Sequence, residues 1–151
     1  MLFSGQGVGA EEAYMRARQG AIVPIKAKAG ADGASDLARL SPRLRIVFGN
    51  AARLGPGKID LLEAIGRTGS ISAGGRELGM SYRRAWVLVD AVNKMFRQPL
   101  VTATTGGAQG GGAQLTPFGR AVVAAYRRVE ARTLEAIREE LEPFGTDIVG
   151  E

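Results

Sequence analysis

Residues 58–96 read KIDLLEAIGRTGSISAGGRELGMSYRRAWVLVDAVNKMF, and after a short extended run residues 106–112 read GGAQGGG. In the first part, Ile59, Leu61, Leu62 and Ile65 make an apolar stripe, and Gly69 stands where such a helix should stop. Ser70 and Ser72 are both placed to cap a second, short helix, roughly 72–78, which Gly79 ends. Ser81 caps a third helix after only a few residues. This one runs from Tyr82 to about Arg97, with Ala85, Val89, Val92 and Phe96 on one face and Tyr82, Trp86 and Met95 on its flank. Pro99 is its expected stop. Three helices, two tight turns and a glycine-dense hairpin form the outline of a winged helix-turn-helix, a module that places one helix in the DNA major groove.

Two helices joined by so short a turn must cross closely, so the residues at the crossing have to be small. Gly75 lies inside the second helix and Gly79 at the turn. Glycine in a helix interior costs about 1 kcal/mol relative to alanine, so a helix carrying Gly74 and Gly75 is expected to need the close approach.

Outward from this stretch the signals are shorter. Residues 44–48 (LRIVF) form a β-type run, and 51–57 read as a loop containing Pro56. Residues 100–103 are extended, 104–113 form the glycine loop, and Gln114 and Leu115 resume the partner strand. Thr116 followed by Pro117 is a strong helix start, a capping hydroxyl and then proline at the first helical position. The last helix spans about 117–142, with Val122, Tyr126, Val129, Ile137 and Leu141 along one stripe and Thr133 filling its gap. Pro143 and Gly145 end it. Residues 1–40 are rich in Gly and Ala and are expected to be a flexible extension. The resulting layout is a winged helix-turn-helix over 41–116, a long helix over 117–142 as the expected dimer interface, and a tail over 143–151. The fold class is mainly α with a small β-sheet.

Composition narrows the chemistry. The 151 residues contain no cysteine and no histidine, which removes disulfides, thiol nucleophiles, Cys/His zinc sites and histidine general bases. No catalytic residues, metal ligands or cofactor site are assigned. No apolar run approaches the ~20 residues of a membrane span, and no signal-peptide pattern opens the chain, so a cytoplasmic protein without membrane contact is expected. Net charge is +5, and it is concentrated: residues 41–116 hold ten basic and four acidic side chains. A basic central segment suits a polyanion. The glycine loop lacks the Gly-Lys-Ser/Thr of a phosphate-binding P-loop and precedes a strand rather than a helix, so it reads as a wing.

The start of the third helix is where base contacts would arise. Ser81 can offer its hydroxyl or amide to a phosphate, with the positive end of the helix dipole beside it. Arg83 and Arg84 follow in the first turn, and arginine can read guanine O6 and N7 with two parallel hydrogen bonds. Tyr82 can pack on Trp86 while offering its hydroxyl to a phosphate, and Trp86 reads as a core or edge anchor. Lys58, Ser70 and Ser72 join the DNA-facing set. In the wing, Gly107, Gln109 and Gly110 bring bare backbone near minor-groove phosphates.

The strings GSIS (69–72), SYRRAW (81–86), TGG followed by GGG, and LTPFGR (115–120) resemble the N-terminal DNA-binding domain of the ModE molybdate-responsive transcriptional regulators, and more distantly LysR-type winged helices. The resemblance runs from Ile59 to about Leu134, half the chain. It implies a dimer on a pseudo-palindromic operator in double-stranded DNA, with Ser81 to Arg84 in the major groove and the 106–112 wing beside the backbone. Two departures stand out. Ala108 and Gln109 occupy a wing that often carries a basic residue in this family. After Glu142 only a short tail remains, so the molybdate-binding domains are expected to be missing, and the sequence leaves open both an effector and a separate effector-binding protein. The leading expectation is a sequence-specific DNA-binding regulator, and the alternative is a winged helix that serves as a protein-interaction module.

Overall fold

The computed structural model describes residues 37, 39–104 and 112–149. The wing tip, with Gly107, Gln109 and Gly110, and nearly all of the N-terminal extension lie outside the described residues. Residues 39–140 form one compact unit. Its elements in chain order are β1 (Ile46–Phe48), β2 (Ala52–Leu54), α1 (Pro56–Thr68), α2 (Ile71–Glu77), α3 (Tyr82–Met95), β3 (Val101–Thr104), β4 (Gly112–Leu115) and α4 (Pro117–Leu141). Residues 141–149 fall in a second unit, in which Glu142–Asp147 makes a 3-10 helix with Pro143 in its first turn.

Strand β2 corrects the expectation of a loop over 51–57. It pairs antiparallel with β1, Ile46 opposite Leu54 and Phe48 opposite Ala52. Gly49 turns the hairpin at φ 57°, a left-handed conformation that glycine adopts without strain. Three residues reading Ala-Arg-Leu carry too little alternation to declare a strand. The following helix also begins earlier than its apolar stripe, because Pro56 occupies its first turn.

The three-helix core forms much as the apolar spacing requires. Ile59, Leu61, Leu62 and Ile65 of α1 are buried against Ile71 of α2 and Ala85, Val89 and Val92 of α3. Gly69 ends α1 in the left-handed region, and its amide donates to Ile65. Ser70, not Ser72, caps α2: its hydroxyl oxygen accepts from the Ala73 amide at 3.3 Å, so the helix starts one residue earlier than expected. The glycines of α2 are explained by contact. A Cβ on Gly75 would stand 2.8 Å from the Ala85 Cβ, and one on Gly74 would stand 3.0 Å from the Ile65 amide nitrogen.

Helix α3 stops at Met95, two residues before the expected end, and Pro99 is not the terminator. Asn93 explains the turn. Its Oδ1 accepts from the Leu100 and Val101 amides, and its Nδ2 donates to the Val101 carbonyl. One side chain thus serves the polar backbone groups of the chain leaving the helix. The wing strands pair from Val101–Leu115 to Thr104–Gly112, so β4 is longer than the Gln114–Leu115 expected. The Ala113 amide donates to the Gly69 carbonyl, which ties the wing to the end of α1.

Thr116 caps α4 as expected, its hydroxyl oxygen accepting from the Gly119 amide at 2.9 Å. Gly119 packs on the Leu100 backbone so closely that a Cβ there would overlap the Leu100 carbonyl. Along α4 the buried residues are Gly119, Val123 and Tyr126. Tyr126 corrects the expected interface stripe. It is 2% exposed within the chain's own core, and its hydroxyl donates to the Leu44 carbonyl at 2.8 Å. Burial pushes its phenol pKa upward, and the Glu130 carboxylate adds to the shift.

Candidate nucleic-acid interface

The tight crossing of α2 and α3 fixes which face of α3 is left outside. Ala85, Val89 and Val92 are spent on the core, so Ser81, Tyr82, Arg83, Arg84, Trp86 and Val87 are exposed. Ser81 caps the helix through its hydroxyl, which accepts from the Arg84 amide at 3.2 Å. This holds Arg83 and Arg84 in the first turn, beside the positive helix end, with no acidic residue there to neutralise them. An anion at this end would relieve both terms.

Two hollows flank the helix. On the wing side, a cavity of about 240 Å³ is lined by residues including Ser70, Ser72, Tyr82, Trp86, Asn93 and Gly112. Trp86 is an edge residue rather than a core one, 44% exposed, with the Tyr82 ring 6.0 Å from its own and tilted 59°. Ser70 and Ser72 therefore stand across this groove from the aromatic pair, although Ser70 also has its capping duty. On the opposite side, a cavity of about 330 Å³ is lined by Arg45, Arg53, Lys58, Met80, Arg84 and Leu88, with the first residues of α1. Lys58 donates to the Arg53 carbonyl at 2.7 Å. Burial lowers its ammonium pKa, and the Arg45 and Arg53 cations lower it further.

The expected DNA-facing residues thus gather around α3: Ser81 to Arg84 on the helix, Ser70 and Ser72 on one flank, Lys58 on the other. Arg45 and Arg53 were missed. The hairpin that carries Arg53 to the pocket depends on a strand the apolar pattern did not reveal. Asn93 was missed too, since nothing in its spacing announces a side chain that clasps backbone.

Residues 57–120 match the family described as bacterial regulatory helix-turn-helix protein, lysR family. That match spans α1 through the first turn of α4, the elements that build and frame the interface. The chain is 55% identical over 80 residues to the molybdenum-pterin-binding protein MopB of Rhodobacter capsulatus, covering 53% of this chain and 30% of that protein. It is 44% identical over 95 residues to the molybdenum transport protein ModE of Azotobacter vinelandii, covering 60% and 35%. It is 41% identical over 71 residues to the DNA-binding transcriptional dual regulator ModE of Escherichia coli strain K12, covering 47% and 27%. The chain therefore spans about a third of the length of the curated relatives it matches. Among the described residues no helix is long and apolar enough to cross a membrane.

Proposed function

We propose that this chain binds double-stranded DNA as a ModE-like transcriptional regulator, inserting the first turns of α3 into the major groove. The observation that carries the reading is the close α2–α3 crossing at Gly75 and Ala85, which leaves Tyr82, Arg83 and Arg84 together on an outer face. Arg83 and Arg84 read bases, Ser81 and Tyr82 meet phosphates, and Lys58 contributes a sequence-independent contact. In gel-shift titrations, Arg83→Ala and Arg84→Ala should reduce preference for a selected operator over scrambled DNA, whereas Lys58→Ala should weaken both alike. Equal losses on both DNAs for all three variants would contradict these roles.

The proposed assembly is a homodimer on a two-fold operator, with half-sites about one turn of DNA apart. Its support is the outer part of α4, where Val129 is exposed and Val122 and Ile137 are partly so. Sedimentation of a Val129→Asp, Ile137→Asp variant should show monomer where the parent chain shows dimer. A dimer that persists would place the interface elsewhere.

One observation favours the second reading, a protein-interaction module: Tyr82, Trp86 and Val87 put three apolar side chains on the outside of α3. DNA binding that is undetectable, or insensitive to salt, would favour it over the first.

A further inference from the structure

Arg45 precedes β1, Arg53 lies on β2, Lys58 on α1 and Arg84 on α3, yet all four line one hollow of about 330 Å³. Among the described residues none of the four forms an ion pair, whereas Arg67, Lys94 and Arg127 each meet a carboxylate. The same hollow receives the start of α1, where Gly55 provides no side-chain cap and the first turn holds no acidic residue. Like charges around a shared cavity repel one another, and the helix dipole adds its own positive end. The arrangement is electrostatically incomplete without an anion. It is also continuous with the recognition face, because Arg84 belongs both to this wall and to the capped first turn of α3.

We propose that this hollow is a second DNA contact, which takes phosphodiester oxygens of the strand bordering the groove that α3 enters. The proposal rests on the DNA-binding reading above and adds to it a hairpin-side clamp, in which Arg45 and Arg53 position the duplex without reading its sequence. Arginine suits this role because its planar donors match two phosphate oxygens at once. Free oxyanions share that chemistry. The duplex is the committed occupant because Arg84, which lines the hollow, stands in the same capped helix turn as Ser81 and Arg83, so a strand meeting those residues runs past the cavity's cations.

The test is the salt dependence of duplex binding by the full chain and by its Arg45→Gln, Arg53→Gln double variant. A duplex selected from random-sequence DNA and its scrambled counterpart are used. Each phosphate neutralised contributes about 0.9 to the slope of log affinity against log salt, so the double variant should lose close to two from that slope. The ratio of selected to scrambled binding should not change, and the thermal midpoint should not fall. An undiminished slope overturns the clamp while leaving the DNA reading intact. If the parent chain itself binds no duplex at low salt, both fall together. Should the double variant not fold, each single variant carries the test with a loss of about one. A parallel titration with inorganic phosphate and with molybdate follows the Gly57 and Lys58 amides. Saturable binding of either ion that the double variant abolishes, with an unchanged duplex slope, would assign the hollow to a free oxyanion and overturn the proposal.

Discussion

At the first turn of α1, Lys58 shares a hollow with Arg45, Arg53 and Arg84, and no carboxylate pairs with them among the described residues. One turn further along, Asp60 and Glu63 close with Glu130 on a single cation, Arg127 of α4. The guanidinium donates through Nε and Nη2 to the two oxygens of Glu63 at 3.0 and 2.8 Å, through Nη2 to Asp60 at 2.7 Å, and through Nη1 to Glu130 at 2.8 Å. The second cluster is a closed structural joint between α1 and α4. Its geometry satisfies the cation on three edges, holds the Glu63 carboxyl below the usual carboxylate range and raises the Arg127 pKa. The first cluster is open, and its repulsion is left standing. Charge that is internally paired serves the fold, and charge that is left unpaired beside the exposed face of α3 is free for a partner.

Substitutions should separate the two regions, beginning with the largest effect. Gly75→Val drives a side chain into Ala85 and must displace α3, one wall of the open cluster, while leaving α1 and α4 joined by Arg127. It should cost about 2–3 kcal/mol in denaturant unfolding and abolish operator preference. A stable variant with unimpaired preference would break the link between the crossing and the interface. Arg127→Ala removes the cation that these three carboxylates share. Because the guanidinium is about a third exposed, solvent moderates the loss, and about 1–2 kcal/mol of stability is expected, with the salt slope of DNA binding unaltered. A changed slope would mean that the closed cluster also reaches DNA.

The pH dependence gives a finer cut. Glu63 has a folded-state pKa below its ordinary 4.5, so its contribution is present above that value and is lost as pH falls through the lower one. Stability should therefore decline in acid by less than about 1 kcal/mol from this residue, and Arg127→Ala should flatten that part of the profile. An identical acid limb in the variant would remove Glu63 as its source. Smallest of all, the Arg45→Gln, Arg53→Gln change should leave unfolding within about 0.5 kcal/mol of the parent or slightly raise stability, since it relieves repulsion. A clear loss would show that these arginines hold the fold together.

Periodic features were legible in the sequence and non-local ones were not. The α1 stripe, the Ser81 and Thr116 caps and the close-packed Gly74 and Gly75 all announce themselves through spacing or residue type, because each reflects a local rule. Strand β2 escaped because a three-residue strand shows no period, and with it went Arg53 and half of the open pocket. Tyr126 misled for a different reason. Its position on the α4 stripe is right, but one helix face serves both the chain's own core near Val123 and the outer surface near Val129, and spacing cannot divide them. Arg127 pairs with residues more than sixty positions away, and only the packing of α4 on α1 brings them together.

The central claim, that α3 and its flanking cations form a DNA-reading surface, is tested most directly by titrating a selected duplex with the full chain across salt concentrations. The account predicts a steep linear fall of log affinity with log salt, together with a preference for the selected duplex that Arg83→Ala diminishes. Salt-independent or undetectable binding, or a preference that Arg83→Ala leaves untouched, would contradict it.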